Sequence, residues 1–136
     1  NNPYVIGQND RMVSINSCLE IDLYGQVASE AIGLDQFSGT GGQVDYLRGA
    51  KRSRGGRSIL AFTSTAKGGT VSRIVPVLSP GATVTSGRNE VDYIATEYGA
   101  VRLRGLTLRE RALALVSIAH PDFRPGLMAV VEERFS

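Results

Sequence analysis

A change of hydrophobic period part-way along the chain limits the fold more than any other feature. In "MVSINSCLEIDLYG", Val13 and Ile15 alternate with Ser14 and Asn16, and Leu19, Ile21 and Leu23 alternate with Glu20, Asp22 and Tyr24. A two-residue period belongs to β-strands. In "TLRERALALVSIAH" the spacing turns helical, with Leu108, Ala112, Leu115 and Ile118 on one face. Thr107 and Glu110 precede that run in a capping-box pattern, and His120–Pro121 ends it. Short β units early and helices late predict an α/β domain with a mixed sheet.

Local signals fill in the order. The Tyr24–Gly25 break predicts a turn into a second strand over Gln26–Ala31, giving a hairpin. Strands are also predicted over Ser58–Thr63, Arg73–Leu78 and Val91–Gly99, with Pro76 confining the second of these to an edge or bulge. Short helices are predicted over Asn1–Asp10, on the Asn-Asn-Pro start, and over Gln43–Lys51. Lys51, Arg52 and Arg54 suit the negative dipole end of the latter, and Gly55–Gly56 stops it. "AKGGTVSR" reads as a loop and "RPGLMAVVEERF" as a final amphipathic helix.

Bulk properties exclude several classes. The 136 residues suffice for one domain with a core, and 42% apolar with 21% charged residues argues against disorder. A net charge of +2, with both signs interspersed and few aromatics, does not describe a nucleic-acid surface. No run is long and apolar enough to span a bilayer, and no signal peptide is seen. The single cysteine, Cys18, cannot form an internal disulfide, so a reducing cytoplasm is the expected setting. Its alternating apolar surroundings mark it as a small buried hydrophobe. The chain opens on "NNPYVIGQND" without Met, and is read as a piece of a longer protein.

Three places could carry chemistry. In "FSGTGGQVDYLRGAKRSRGG", Gly39, Gly41 and Gly42 precede a predicted helix, so free backbone N–H groups and a positive dipole end could receive a phosphate, a carboxylate or a developing oxyanion. The spacing is neither G-x-G-x-x-G nor Walker A, and by itself favours a plain tight turn. In "STAKGGT", Lys67 could hold a phosphate or stand solvated. In "TEYG", Glu97 ends the strongest predicted strand, where active sites of open α/β sheets gather, and reads equally as an exposed edge residue. His120 has no partners at metal-ligand spacing and reads as a helix-end residue, and no metal site is expected. Arg102, Arg104, Arg109 and Arg111 read as a solvated helix flank, of which one or two could meet a phosphate.

Four segments in fixed order, "MVSINSCLEIDLYGQV", "SGTGGQVDYLRGA", "STAKGGTVSRIVPVLSPGATVT" and "VDYIATEYGAVRLRGLTLRERALALVSIAHPDFR", resemble the C-terminal domain of the acetyl-CoA hydrolase/transferase family, in particular its 4-hydroxybutyrate CoA-transferase branch. The resemblance runs from Asn1 to about Arg124. It implies an open, mixed, largely parallel sheet flanked by helices (the CoA-transferase or NagB-like arrangement) with C-terminal helices. Residues 1–136 would then be one domain, packed in the parent protein against an N-terminal domain absent here.

It further implies ping-pong transfer of coenzyme A between an acyl-CoA and a short-chain carboxylate such as 4-hydroxybutyrate, butyrate or acetate. A glutamate attacks the thioester, passes through an anhydride and becomes a glutamyl-CoA thioester. That glutamate lies in the N-terminal domain and matches no residue of this chain, so the chain alone should not turn over. Coenzyme A is a substrate, and no cofactor is implied. By position, Gly42 matches an oxyanion-hole glycine that also contacts CoA, with Gly41 beside it. Glu97 matches a glutamate supporting the nucleophile, and Lys67 a CoA-contacting lysine. Asn1 matches an active-site asparagine, Ser38 falls where some members carry an asparagine at the CoA site, and Glu20 is a weaker CoA contact. Acetyl-CoA hydrolysis and a non-catalytic scaffold are the alternatives. Homo-oligomers are expected, since an isolated domain exposes its interdomain face.

Overall fold

A computed structural model of the chain describes residues 2–3, 13–16, 18, 20–28, 31–32, 35–36, 57–78 and 91–135. Apart from residues 2–3, the helices expected over Asn1–Asp10 and Gln43–Lys51 lie outside these. The described strands are β1 (Val13–Asn16), β2 (Glu20–Asp22), β3 (Val27–Ala28), β4 (Ala31–Ile32), β5 (Asp35–Gln36), β6 (Arg57–Ala61), β7 (Thr65–Ala66), β8 (Val71–Ser72), β9 (Ile74–Val75), β10 (Tyr93–Thr96) and β11 (Gly99–Arg102). The helices are α1 (Leu108–Ser117) and α2 (Arg124–Arg134), joined through a 3-10 turn at Pro121–Phe123.

The largest sheet has the order β1-β6-β10-β11. β1, β6 and β10 run parallel, and β11 closes one side antiparallel. This is the mixed, largely parallel sheet expected. Register places Asn16 opposite Leu60 and Ala61 opposite Ala95, so the carboxyl ends of the three parallel strands share one edge. The ladder runs one step further, where the Phe62 N–H donates to the Ala95 carbonyl at 3.1 Å.

The alternating run at the start does not make one strand. Val13–Asn16 joins the large sheet, whereas Glu20–Asp22 joins a second sheet of order β3-β2-β9. Period gives the pleat, not the sheet to which a segment belongs. Both faces of β2 are covered, so Glu20 and Asp22 are buried along with Ile21. Asp22 has a structural use there. Its Oδ1 accepts the Tyr24 and Gln26 N–H groups at 3.0 and 2.8 Å and closes the predicted turn into β3. Burial raises its carboxyl above the ordinary value, against the opposing pull of those backbone donors.

Gly25 occupies that turn at φ +90°, in the left-handed region that favours glycine. A Cβ there would meet Arg111 Nη1 at 3.2 Å and Leu103 Cδ1 at 3.4 Å. Gly25→Ala therefore combines backbone strain with crowding, and should cost about 2 kcal/mol. The check is a lower denaturation midpoint for the alanine variant.

Other expectations are corrected in detail. Gln26–Ala31 is not one strand: Val27–Ala28 pairs with β2, while Ala31–Ile32 pairs with β5. The supposed loop "AKGGTVSR" contains a hairpin, β7 against β8, with Lys67–Gly69 at its tip. Arg73–Leu78 shortens to β9 before Pro76, and β9 lies at the end of its sheet's order. Val91–Gly99 ends its strand at Thr96, turns through Glu97–Tyr98 and returns as β11.

The arginine series is not a solvated helix flank either. Arg102 is on β11, where its Nε donates to the buried carboxylate of Asp92 at 2.9 Å, and Arg104 Nη2 lies 3.5 Å from the same group. Arg111 is buried and donates to the Tyr24 carbonyl. Arg109 does lie exposed on α1, but its Nη1 ties the Phe135 carbonyl at 3.2 Å.

The helical end follows its local code. The Thr107 hydroxyl accepts the Glu110 N–H, and the Glu110 carboxylate accepts the Thr107 N–H, completing the capping box. α1 buries Ala112 and Leu115, and α2 buries Leu127 and Val131. Leu108, expected on the same face, is 41% exposed because it opens the first turn. These side chains join Ile21, Leu23, Leu60, Ile74, Ile94 and Leu103 in one core. Each fully buried Leu or Ile contributes roughly 1.5–3 kcal/mol.

Candidate active site

The common edge formed by the ends of β1, β6 and β10 is where the chemistry-bearing side chains collect. The segment after β6 runs Phe62–Thr63–Ser64 into the β7–β8 hairpin, and the segment after β10 is the Glu97–Tyr98 turn. These meet directly: the Ser64 backbone N–H donates to Glu97 Oε1 at 2.7 Å. Short bonds from a neutral donor to a carboxylate are among the stronger hydrogen bonds. Glu97 remains exposed, so the held carboxylate still faces solvent.

Both partners are fixed from behind. The Thr96 hydroxyl donates to the Ile118 carbonyl at 2.6 Å and accepts the Tyr98 N–H at 3.1 Å, tying the Glu97 turn to the end of α1. The Ser64 carbonyl accepts the Arg73 N–H at 2.9 Å. The Arg73 guanidinium reaches the Thr65 carbonyl at 3.4 Å and the Cys18 carbonyl at 3.3 Å, so one side chain links segments that follow β1 and β6.

The electrostatics follow from these contacts. Partial desolvation pushes the Glu97 carboxyl up, but the Ser64 amide, the Glu97 backbone amide, the nearby Ser64 hydroxyl and His120 together hold it below the ordinary glutamate value. The Ser64 hydroxyl favours the charged form without making a well-formed hydrogen bond, so the backbone amide is the firm contact. At neutral pH Glu97 is therefore an anion: it accepts hydrogen bonds and does not donate them. Cys18 is the opposite case. Burial pushes its thiol up to about 12, with Arg73 lowering and Glu20 raising it, so it is an inert core thiol as read.

Lys67 stands at the hairpin tip with φ +51°, uncommon for a residue with a Cβ. Its carbonyl accepts the Thr70 hydroxyl at 2.8 Å, and the side chain is exposed. Lys67 is three peptide steps from Ser64, so the two α-carbons are at most about 11 Å apart. Glu20 is buried in β2 and is not brought to solvent. Gly41, Gly42, Ser38 and Asn1 lie outside the described residues. His120 is a cap, as expected: its Nδ1 accepts the Asp122 N–H at 3.1 Å. Its ring also packs edge-on to Tyr98, beside Glu97, at 5.7 Å.

Sequence reading missed Ser64 and Arg73. The signal for Arg73 was a lone charge inside the apolar run "RIVPVL"; Ser64 gave none. An apolar cavity of about 480 Å³ opens elsewhere, between Thr70–Pro76 and Phe123–Leu127. Neither Glu97 nor Ser64 lines it. Glu97 is the group with reactive charge, so the strand ends are the better candidate. Among the described residues no cluster of His, Cys, Asp and Glu could hold a metal ion, and no helix is long and apolar enough to cross a membrane.

The model for the acetyl-CoA hydrolase/transferase C-terminal domain matches residues 1–131. The chain belongs to this family. Among similar family proteins is the 4-hydroxybutyrate coenzyme A transferase of Clostridium kluyveri, 62% identical over 135 residues, which are 99% of this chain and 32% of that enzyme. A crystal structure of 4-hydroxybutyrate CoA-transferase from Porphyromonas gingivalis superposes with a TM-score of 0.81 at 62% identity, over 98% of this chain and 30% of that one. RipA from Yersinia pestis superposes at 0.90 with 49% identity, again over 98% of this chain and 30% of its own. The acetyl-CoA hydrolase of Kluyveromyces lactis is more distant, 35% identical over 93% of this chain and 24% of that enzyme. This family domain thus spans between about a quarter and a third of the length of the curated relatives it matches.

Proposed function

We propose that the chain is the C-terminal part of a CoA-transferase that passes coenzyme A between an acyl-CoA and a short-chain carboxylate of the 4-hydroxybutyrate, butyrate or acetate type. The observation that carries this reading is Glu97, a charged carboxylate pinned by a backbone amide yet open to solvent at the carboxyl ends of parallel strands. In a relative 62% identical over this domain, the chemistry is CoA transfer. The greater distance of the hydrolase favours transfer over hydrolysis. The setting proposed is the cytoplasm, and the complete protein is proposed to form homo-oligomers.

The roles divide as follows. A glutamate of the N-terminal part attacks the thioester carbonyl and expels CoA thiolate, giving a mixed anhydride. The thiolate attacks the glutamyl carbonyl of the anhydride and releases the first acid. The second acid reverses both steps. Gly42 and Gly41 supply N–H groups to the oxyanion of each tetrahedral intermediate, Glu97 supports the nucleophilic carboxylate indirectly, by accepting hydrogen bonds from donors that also hold that carboxylate, and Lys67 holds CoA phosphate. Ser38 and Asn1 are further CoA-side candidates; Glu20, buried in β2, is not among them.

The test is the complete protein assayed with butyryl-CoA and acetate, following acetyl-CoA formation against free CoA release. Transfer in excess of hydrolysis supports the reading; free CoA alone makes it a hydrolase. In the same assay Lys67→Ala should raise the acyl-CoA KM about tenfold with kcat nearly unchanged, as expected for loss of one exposed charge contact of about 1.4 kcal/mol. An unchanged KM removes Lys67 from the CoA site.

A further inference from the structure

Ser64 carries two donors and uses one of them. Its N–H is committed to Glu97 Oε1 at 2.7 Å. Its hydroxyl is fully buried, at 0% residue exposure, and has no hydrogen-bond partner among the described residues. Folded proteins rarely leave a buried hydroxyl unpaired, because the lost hydration is not replaced. A residue serving only to fill space here would be better as alanine. The Ser64 backbone is also held more firmly than a surface turn requires, with its carbonyl taken by the Arg73 N–H and the following carbonyl by the Arg73 guanidinium.

We propose that Ser64 is the positioning residue for Glu97, its amide fixing one carboxylate oxygen and its buried hydroxyl standing as a second donor to that carboxylate when the reacting groups are in place. This rests on the reading of Glu97 as a site residue. In the resting arrangement the Ser64 amide is the well-formed contact to Oε1 among the described residues. When the carboxylate is drawn toward a partner in the assembled site, the hydroxyl can follow by rotation about χ1, a change the buried amide cannot make. The device keeps Glu97 charged and aimed through the reaction, without a lysine or arginine that would neutralise it.

The test is a double-mutant cycle in the complete transferase. Ser64→Ala keeps the amide and the fold, and should lower kcat about tenfold with the acyl-CoA KM within twofold. The acid limb of the kcat profile should move to higher pH, since a donor that favours the anion is lost; His120, the other charged group bearing on Glu97 among the described residues, is kept in the variant. In a Glu97→Ala background the same substitution should have no further effect on kcat. A Ser64→Ala enzyme with full kcat overturns the proposal. So does a tenfold loss that persists undiminished without Glu97, which would mean a purely structural effect. If Glu97→Ala alone is fully active, the reading of the site fails first and the positioning role falls with it, an outcome distinct from the other two.

Discussion

Replacing Glu97 by alanine in the complete protein should lower kcat for the proposed CoA transfer about a hundredfold, the loss typical when a group that aims a reactant is removed. Folding should change little. The side chain is exposed, and its one firm described contact is the Ser64 amide. Loss of turnover without loss of structure is thus the signature, read by kinetics beside circular dichroism. Glu97→Gln sharpens the test, since it keeps shape and acceptor capacity but removes the charge. If charge matters, Gln behaves like Ala; if only a hydrogen-bond acceptor is needed, Gln keeps most of the rate.

The pH dependence follows from the direction of the shift. The folded-state carboxyl lies below its ordinary value, so it stays charged to lower pH than a free glutamate. Activity that needs the anion is then present above that lowered value and lost as pH falls through it. Its small contribution to folding has the same sense, present above the unfolded value and lost on acidification. A rate limb on the alkaline side of the ordinary glutamate range would contradict the assignment.

What the sequence revealed of this site was what is encoded locally. Glu97 was visible because a strong β run ends just before it, and strand ends of open sheets collect function. The Thr107–Glu110 box was visible because cap and partner lie three residues apart. The parallel sheet edge was not visible from period alone. It required knowing that β1 and β10 both pair with β6. Ser64 and Glu97 are 33 residues apart, and no local pattern joins them. Asp22 looked outward by alternation, but a second covered face and a turn that needed its oxygen drew it inside. Arg111 was placed outside by charge, although its stem can pack on Gly25 while its head finds a carbonyl. In each case a tertiary partner overrode a residue's average preference.

Gly42→Val should be the more damaging of the two substitutions. Attack on a thioester moves negative charge onto the carbonyl oxygen, and amides already aimed at that oxygen stabilise it without reorganising. Removing one such donor typically costs 10²–10³ in rate, about 3–4 kcal/mol. Valine does not remove the N–H. On the proposed oxyanion role of Gly42, it would place a branched side chain where the thioester approaches the backbone and hold the oxygen off the donors. The expected result is a kcat lowered roughly 10²–10³-fold, with Gly42→Ala intermediate because a single methyl obstructs less. The two glycine variants also separate obstruction from strain: if the loop needs a left-handed backbone, Ala and Val both destabilise it and both lower the melting temperature. Full turnover by the valine enzyme would show that the reacting oxygen lies elsewhere, leaving "SGTGGQ" as the plain tight turn that its spacing alone describes.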